Sequence, residues 1–144
     1  MRVILDAFAL IAALAGEVAA PEVEAELRSG GVAITAVNLA EVIDQLLRPA
    51  QRPRDEVEAA LASLTAGGMR VLPVDEAMGR IAGEIRAAYY NRSTSPISMA
   101  DCVALGACKS SRTSLATADG PLAGVARREG ITVLALPNST GIRP

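Results

Sequence analysis

Four acidic side chains stand where short apolar runs give way to helical patterns. They are Asp6 after Val3-Ile4-Leu5, Glu41 in Asn38-Leu39-Ala40-Glu41, Asp101 in Ser98-Met99-Ala100-Asp101, and Asp119 in Thr117-Ala118-Asp119-Gly120-Pro121. A carboxylate placed directly after three apolar residues is costly unless it meets a cation or a helix N-terminus. Each of the four has an ordinary structural explanation. Asp6 and Asp119 are placed to cap the helices that follow them, the second ahead of a proline in the first helical turn. Asn38 with Glu41, and Ser98 with Asp101, have the spacing of a capping box. Taken together, however, all four fall at strand ends or in the first turns of the following helices, on one edge of the inferred sheet. Several carboxylates in one pocket cannot all stay ionised without a cation. Oxygen donors alone select a hard ion, Mg²⁺ or Mn²⁺. Such a site supports phosphodiester hydrolysis, because the ion acidifies water and neutralises charge on phosphoryl oxygens.

What is absent narrows the chemistry further. The chain has no histidine, which removes Ser-His-Asp and Cys-His nucleophiles and any histidine general base. Its glycines form neither a G-x-G-x-x-G fingerprint nor a P-loop. Cys102 and Cys108 are too far apart for a C-x-x-C pair and read as core thiols in a reducing compartment. The net charge of −2 gives no global basic field, so a polyanion must be held locally. All basic residues but Lys109 are arginine, whose planar fork suits phosphate. Arg48, Arg52, Arg54, Arg86, Arg92 and Arg112 are candidates for that contact, with solvated surface charge as the competing use. Tyr89 and Tyr90 can stack a base or pack a helix or a dimer contact. Gly79-x-x-x-Gly83 reads as a site of close helix contact.

The elements that must position these residues alternate along the chain. Val3 to Leu5, Val32 to Ile34, Val71 to Val74, Leu115 to Ala116 and Ile131 to Leu136 read as strands. Helical patterns separate them: the apolar stretch Ala7 to Ala15, then Pro21 to Arg28, a helix from Thr35, Asp55 to Leu64, a long helix capped by Asp75, Ser98 to Ser110, and Pro121 to Glu129. This is the pattern of an α/β fold, a three-layer α/β/α sandwich around a mainly parallel sheet of about five strands. Ligand sites in such sheets lie beyond the carboxyl ends of the strands. Residues 1–136 are expected to form a single domain and residues 137–144 a flexible tail. Ala7 to Ala15 is too short to span a bilayer, which takes about 20 residues, and a cytoplasmic location is expected.

The four acidic motifs, in this order and spacing, resemble the PIN-domain ribonucleases, in particular the VapC-type toxins of bacterial toxin-antitoxin pairs; the resemblance covers nearly the whole chain. It implies a PIN-like fold and an endoribonuclease dependent on Mg²⁺ or Mn²⁺. Asp6, Glu41, Asp101 and Asp119 would be its metal-binding catalytic acids, with Asn38 and Thr117 as supporting polar neighbours. It also implies a homodimer, a cognate antitoxin that contacts DNA in place of this chain, and an RNA substrate of the tRNA or rRNA class. One position departs from the pattern: relatives usually carry a small hydroxyl or amide residue two places after the first aspartate, and this chain has Phe8. That residue cannot hydrogen-bond, so any such role would pass to Thr117. Two other readings stay open: a non-catalytic PIN-like module whose acidic pocket binds metal or a partner's arginine, and a phosphoacceptor receiver domain, which the position of Lys109 late in a helix disfavours.

Overall fold

A computed structural model describes residues 1–144. In chain order the elements are β1 (Val3–Leu5), α1 (Ala7–Ala15), α2 (Ala20–Ser29), β2 (Val32–Thr35), α3 (Ala36–Leu47), α4 (Arg54–Ala66), β3 (Arg70–Leu72), α5 (Glu76–Tyr89), α6 (Met99–Ser111), β4 (Ser114–Thr117), α7 (Gly120–Arg128) and β5 (Val133–Ala135). The strands form a single sheet in the order β3-β2-β1-β4-β5, and every neighbouring pair is parallel. Receiver domains have the order 2-1-3-4-5, so the topology removes that reading. β3 ends one residue before Pro73, which has no N–H to give to a ladder.

Alternation along the strands divides the apolar residues between two cores. Val3 and Leu5, Val32 and Ile34, and Ala116 face one side, where they meet α1, α2, α3 and α4. Ile4, Ala33 and Leu115 face the other, against α5, α6 and α7. The central strand is buried on both faces, which is why Val3-Ile4-Leu5 is continuously apolar rather than alternating. With three layers and an almost aromatic-free composition, the cores are filled by Ala, Val, Leu and Ile. Cys102 and Cys108 are free, buried thiols. Burial raises them to about 11 and about 12 respectively, and holds them as unreactive apolar side chains. No helix is long and apolar enough to cross a membrane. Residues 137–144 fold back along the body, where Arg143 pairs with Glu22 at 2.7 Å and donates to the Ala135 carbonyl at 2.6 Å.

The close helix contact falls elsewhere than expected. A Cβ at Gly79 or Gly83 would meet nothing within 4 Å. Gly106 of α6 is the tight position, since a Cβ there would lie 2.9 Å from the Met78 carbonyl oxygen of α5. The obstacle is backbone, which cannot swing aside, so the helices would have to separate. Gly106→Ala is expected to lower stability by about 1–3 kcal/mol. Gly79→Ala, on an exposed helical face, is expected to be neutral or to stabilise by up to about 1 kcal/mol. Urea melts of the two variants check this pair of opposite effects.

Candidate active site

β1, β2 and β4 each run straight into a helix, and the first residues past each strand end on the same edge of the sheet. Chain direction reverses there: the strands added after β1 go to one side, and β4 and β5 go to the other. Crevices at such switch points are where open parallel sheets bind ligands. Asp6 follows β1 and caps α1, its Oδ1 accepting from the Ala9 amide at 2.7 Å. Asp119 follows β4 and caps α7, accepting from the Leu122 amide at 2.6 Å. In α6, Ser98 and Asp101 form a reciprocal capping box, with Asp101 Oδ2 accepting from the Ser98 amide at 2.7 Å. Capping and chemistry are therefore compatible uses of these residues. Each cap takes one carboxylate oxygen, and the second oxygen of Asp101 and of Asp119 has no hydrogen-bond partner in the protein.

The capping box expected for Asn38 and Glu41 is not formed. Thr35, the last residue of β2, is the N-cap of α3 and accepts from the Asn38 amide at 3.1 Å. Its hydroxyl donates to Asn38 Oδ1 at 2.5 Å. Asn38 is 0% exposed, and its Nδ2 is left buried without a partner. Glu41 is thereby free of any capping task, one turn further along α3. Sequence reading missed Thr35 because it counted the residue as the start of the helical pattern; a Thr three residues ahead of an Asn at a strand end was the available signal.

Electrostatics link the four acids. Asp6 is only 3% exposed, and burial raises its pKa to about 7, with the Thr117 side chain and the Ala9 amide pulling down and the charges of Asp101 and Asp119 pushing up. Glu41 is raised by burial and then by Asp101 and Asp44. Asp101 is raised by burial and by Asp119, against the Ser98 hydrogen bonds. No arginine or lysine acts on any of the three. Asp119 is exposed, Glu41 and Asp101 are half-buried, and Asp6 is buried. Thr117 is wholly buried beside Asp6, and its Oγ1 accepts from the Asp119 amide at 3.0 Å. One hydroxyl thus touches the surroundings of two of the acids. Phe8 is half-buried and packs against the core on the α1 to α4 side, so it leaves polar support of Asp6 to Thr117. No three of the acidic side chains stand close enough together to form a ready-made metal cluster. The donor set nevertheless fits a hard cation in its chemistry: carboxylates only, three of them raised by burial and by neighbouring charge, no cationic side chain acting on those three, and oxygens to spare.

The sequence matches the family model of the PIN domain over residues 3–133. The chain belongs to the PIN-domain family. PIN domains are nucleases. Several solved structures share the fold. The crystal structure of FitAcB from Neisseria gonorrhoeae matches with a TM-score of 0.66 and 23% identity, over 92% of this chain and 96% of that one. VapC20 of Mycobacterium tuberculosis, described as a sarcin-ricin-loop-cleaving toxin, matches with a TM-score of 0.66 and 18% identity, over 85% and 94%. A toxin-antitoxin complex from Klebsiella pneumoniae contains a chain matching with a TM-score of 0.62 and 18% identity, over 82% and 87%. At these identities the likeness is one of fold. Comparison with curated protein sequences gives no significant match.

The buried acid of this PIN domain has a measurable consequence. A carboxyl group raised from 3.8 to about 7 on folding favours the folded state while protonated. Its contribution is full below about pH 4 and is lost as pH rises through about 7. The chain has no histidine to add a titration of its own in that range. In the absence of divalent metal, the melting temperature is expected to fall as pH is raised from about 5 to about 8, by the equivalent of a few kcal/mol. Asp6→Asn is expected to flatten that slope, and thermal melts across the pH series decide it.

Proposed function

We propose that this PIN domain is an endoribonuclease dependent on Mg²⁺ or Mn²⁺, and that it is the toxin half of a toxin-antitoxin pair. The observation that carries the nuclease reading is the set of acids at one edge of the sheet. Burial raises Asp6, Glu41 and Asp101, and the charges of Asp101 and Asp119 add to it with no protein cation to relieve them, while Asp101 and Asp119 each keep an oxygen free. The toxin assignment draws on the structures that share the fold, among them a chain of a toxin-antitoxin complex and a toxin that cleaves the sarcin-ricin loop. On this reading the substrate is RNA of the tRNA or rRNA class, a cognate antitoxin covers the protein, and the chain works as a homodimer in the cytoplasm.

The four acids would hold the ion, which when bound supplies charge neutralisation at the phosphoryl oxygens and a more acidic water. The protein's own residues do the rest. Helix N-termini fix the three aspartates, so their free oxygens point from rigid positions rather than from loops. Thr117 holds the Asp119 backbone and favours the ionised form of Asp6. Asn38 Nδ2 is a buried donor in need of an acceptor, and a phosphate oxygen or an ordered water in the crevice would satisfy it. Glu41, raised but still half-exposed, is the carboxylate best placed by its surroundings to take a proton from an attacking water.

A second reading, a non-catalytic PIN-like module whose pocket takes metal or a partner's arginine, is favoured by two observations: the acids are not drawn together into a metal cluster, and Phe8 stands where relatives carry a polar residue. The two readings separate on one residue. Asp101→Asn preserves the capping geometry and removes a charge. The parent is expected to cut RNA only with Mg²⁺ or Mn²⁺ present and to stop in EDTA, and the variant is expected to lose roughly a hundredfold or more of that rate. Its melting temperature without metal should stay equal or rise, because a repulsive charge has gone. A gel assay with purified, partner-free protein checks the first point and a thermal melt in EDTA the second. A variant cutting as fast as the parent would overturn the assignment of Asp101.

A further inference from the structure

At the end of α5 a shallow hollow of about 350 Å³ is lined by Gly83, Arg86, Ala87, Tyr90 and Met99. That volume is within the range of small-ligand sites, roughly 300–1,000 Å³. Its composition is unusual for this chain. Tyr90 is one of only three aromatic residues and is 46% exposed, and Met99 is 52% exposed. The Arg86 guanidinium lies over the Tyr90 ring, 4.1 Å from its centroid. Arg86 makes no ion pair, whereas Arg2, Arg28, Arg48, Arg80, Arg143 and Lys109 all do. Its Nε is buried without a partner. An arginine held flat on a ring with its charge unanswered is fixed in position, and its outer nitrogens remain available to an anion.

The hollow and Asp101 share the first turn of α6. Met99 is the first residue of α6, between the capping residue Ser98 and Asp101, and the Arg86 charge acts on Cys102, the neighbour of Asp101. The chain turns from α5 back to α6 in a fixed arc, in which Asn91 and Ser95 bridge and Asn91 Oδ1 accepts from the amides of Ser93 and Thr94 at 2.9 and 3.0 Å. Gly83 and Ala87 leave the floor with nothing larger than a methyl group. The surface thus combines a cation, a half-exposed aromatic ring, an exposed flexible thioether and room for a flat ring, beside the helix that carries Asp101.

We propose that this hollow is a nucleotide subsite, which takes a nucleotide of the RNA strand next to the scissile bond, its base against Tyr90 and Met99 and its phosphate on Arg86. The assignment rests on the nuclease reading and adds to it the place where the strand is gripped. Base stacking on an aromatic ring and an arginine on phosphate are the two interactions by which single strands are held without sequence readout. A second copy of the chain fits the same surface less well. A two-fold contact through this face would bring Arg86 of each copy toward the other, burying two like charges with no acid in the hollow to pair them.

The test uses full-length protein and a fluorescein-labelled, single-stranded RNA of mixed sequence. Binding is measured by anisotropy with Mg²⁺ in an Asp101→Asn background, and cleavage is measured in the otherwise native chain. Tyr90→Ala and Arg86→Gln are each expected to weaken binding roughly tenfold and to raise KM with kcat retained, while Tyr90→Phe stays within about twofold. Arg86→Gln should also lower the salt dependence of binding by about one phosphate contact, and Tyr90→Ala should leave it unchanged. Thermal melts establish that the variants are folded. If the native chain cuts RNA and the variants bind and cut equally well, the subsite is overturned and the nuclease reading stands. If they keep RNA affinity but sediment as smaller species than the parent, the face is a contact between copies and the subsite is likewise overturned. If the native chain neither binds nor cuts RNA, the nuclease reading falls and the subsite falls with it.

Discussion

A carboxylate buried at the carboxyl end of the central strand is the constraint from which most of this structure follows. Asp6 is almost wholly inaccessible, and an ionised group in that position is expensive unless something meets it. The fold meets half of the demand with the first amides of α1, one of which donates to Asp6 Oδ1. The same solution recurs at Asp101 and Asp119, each of which answers a helix N-terminus with one oxygen. A parallel sheet makes that recurrence possible, because every strand ends on the same edge and the chain must start back toward the other edge. Helix starts, and the partial positive charge they carry, are therefore concentrated where the acids are. The remaining half of the demand is mutual. The charges of Asp101 and Asp119 push up the proton affinity of Asp6, and that of Asp119 pushes up Asp101; a cation or a proton relieves them.

That division of labour explains which features could be read from the sequence. Val3-Ile4-Leu5-Asp6 signals the central strand and its acid, since a short β-branched and apolar run suits a strand buried on both faces and a helix start tolerates the charge that follows. Ser98 and Asp101 state their reciprocal cap equally directly. The all-parallel sheet follows from the alternation of elements, and the order of strands does not: nothing in the residues of β4 says that it lies beside β1 rather than beyond β3.

The failures have a common physical cause. Gly79 and Gly83 have the spacing of a close contact, yet the glycine that lets α5 and α6 approach is Gly106, on the other helix. Spacing describes one helix, and close approach is a property of two. Asn38 was read as a cap because it is followed by Glu41 at the right interval. The cap is Thr35, whose hydroxyl serves both the backbone and the side chain of Asn38. Two residues with equal claim to one amide cannot be separated until the strand end is placed, and placing it moves Asn38 from a surface role to a buried donor without a partner. Phe8 shows the same principle where the sequence did point across the sheet: the ring packs against the core, and Thr117, the residue to which its role would pass, is reached from a different strand and stands beside Asp6. Proximity across the sheet supplies what proximity along the chain does not.

The distribution of positive charge carries the last step. A PIN domain with a net charge of −2 and an acidic crevice repels a polyanion at long range, so the field does not concentrate substrate near the site. Part of its positive charge is already committed: six of the fourteen cations are ion-paired, among them Arg48, a candidate phosphate contact, which Asp44 holds through two hydrogen bonds of 2.9 and 2.7 Å. Attraction must then come from short-range contacts made after the strand has arrived, and from any ion bound between the acids. For the nuclease proposed above, affinity built that way is local and geometric, and it favours RNA whose shape presents a phosphate and an unstacked base at the right separation over RNA in general, because such contacts can be satisfied by only a few arrangements of the strand.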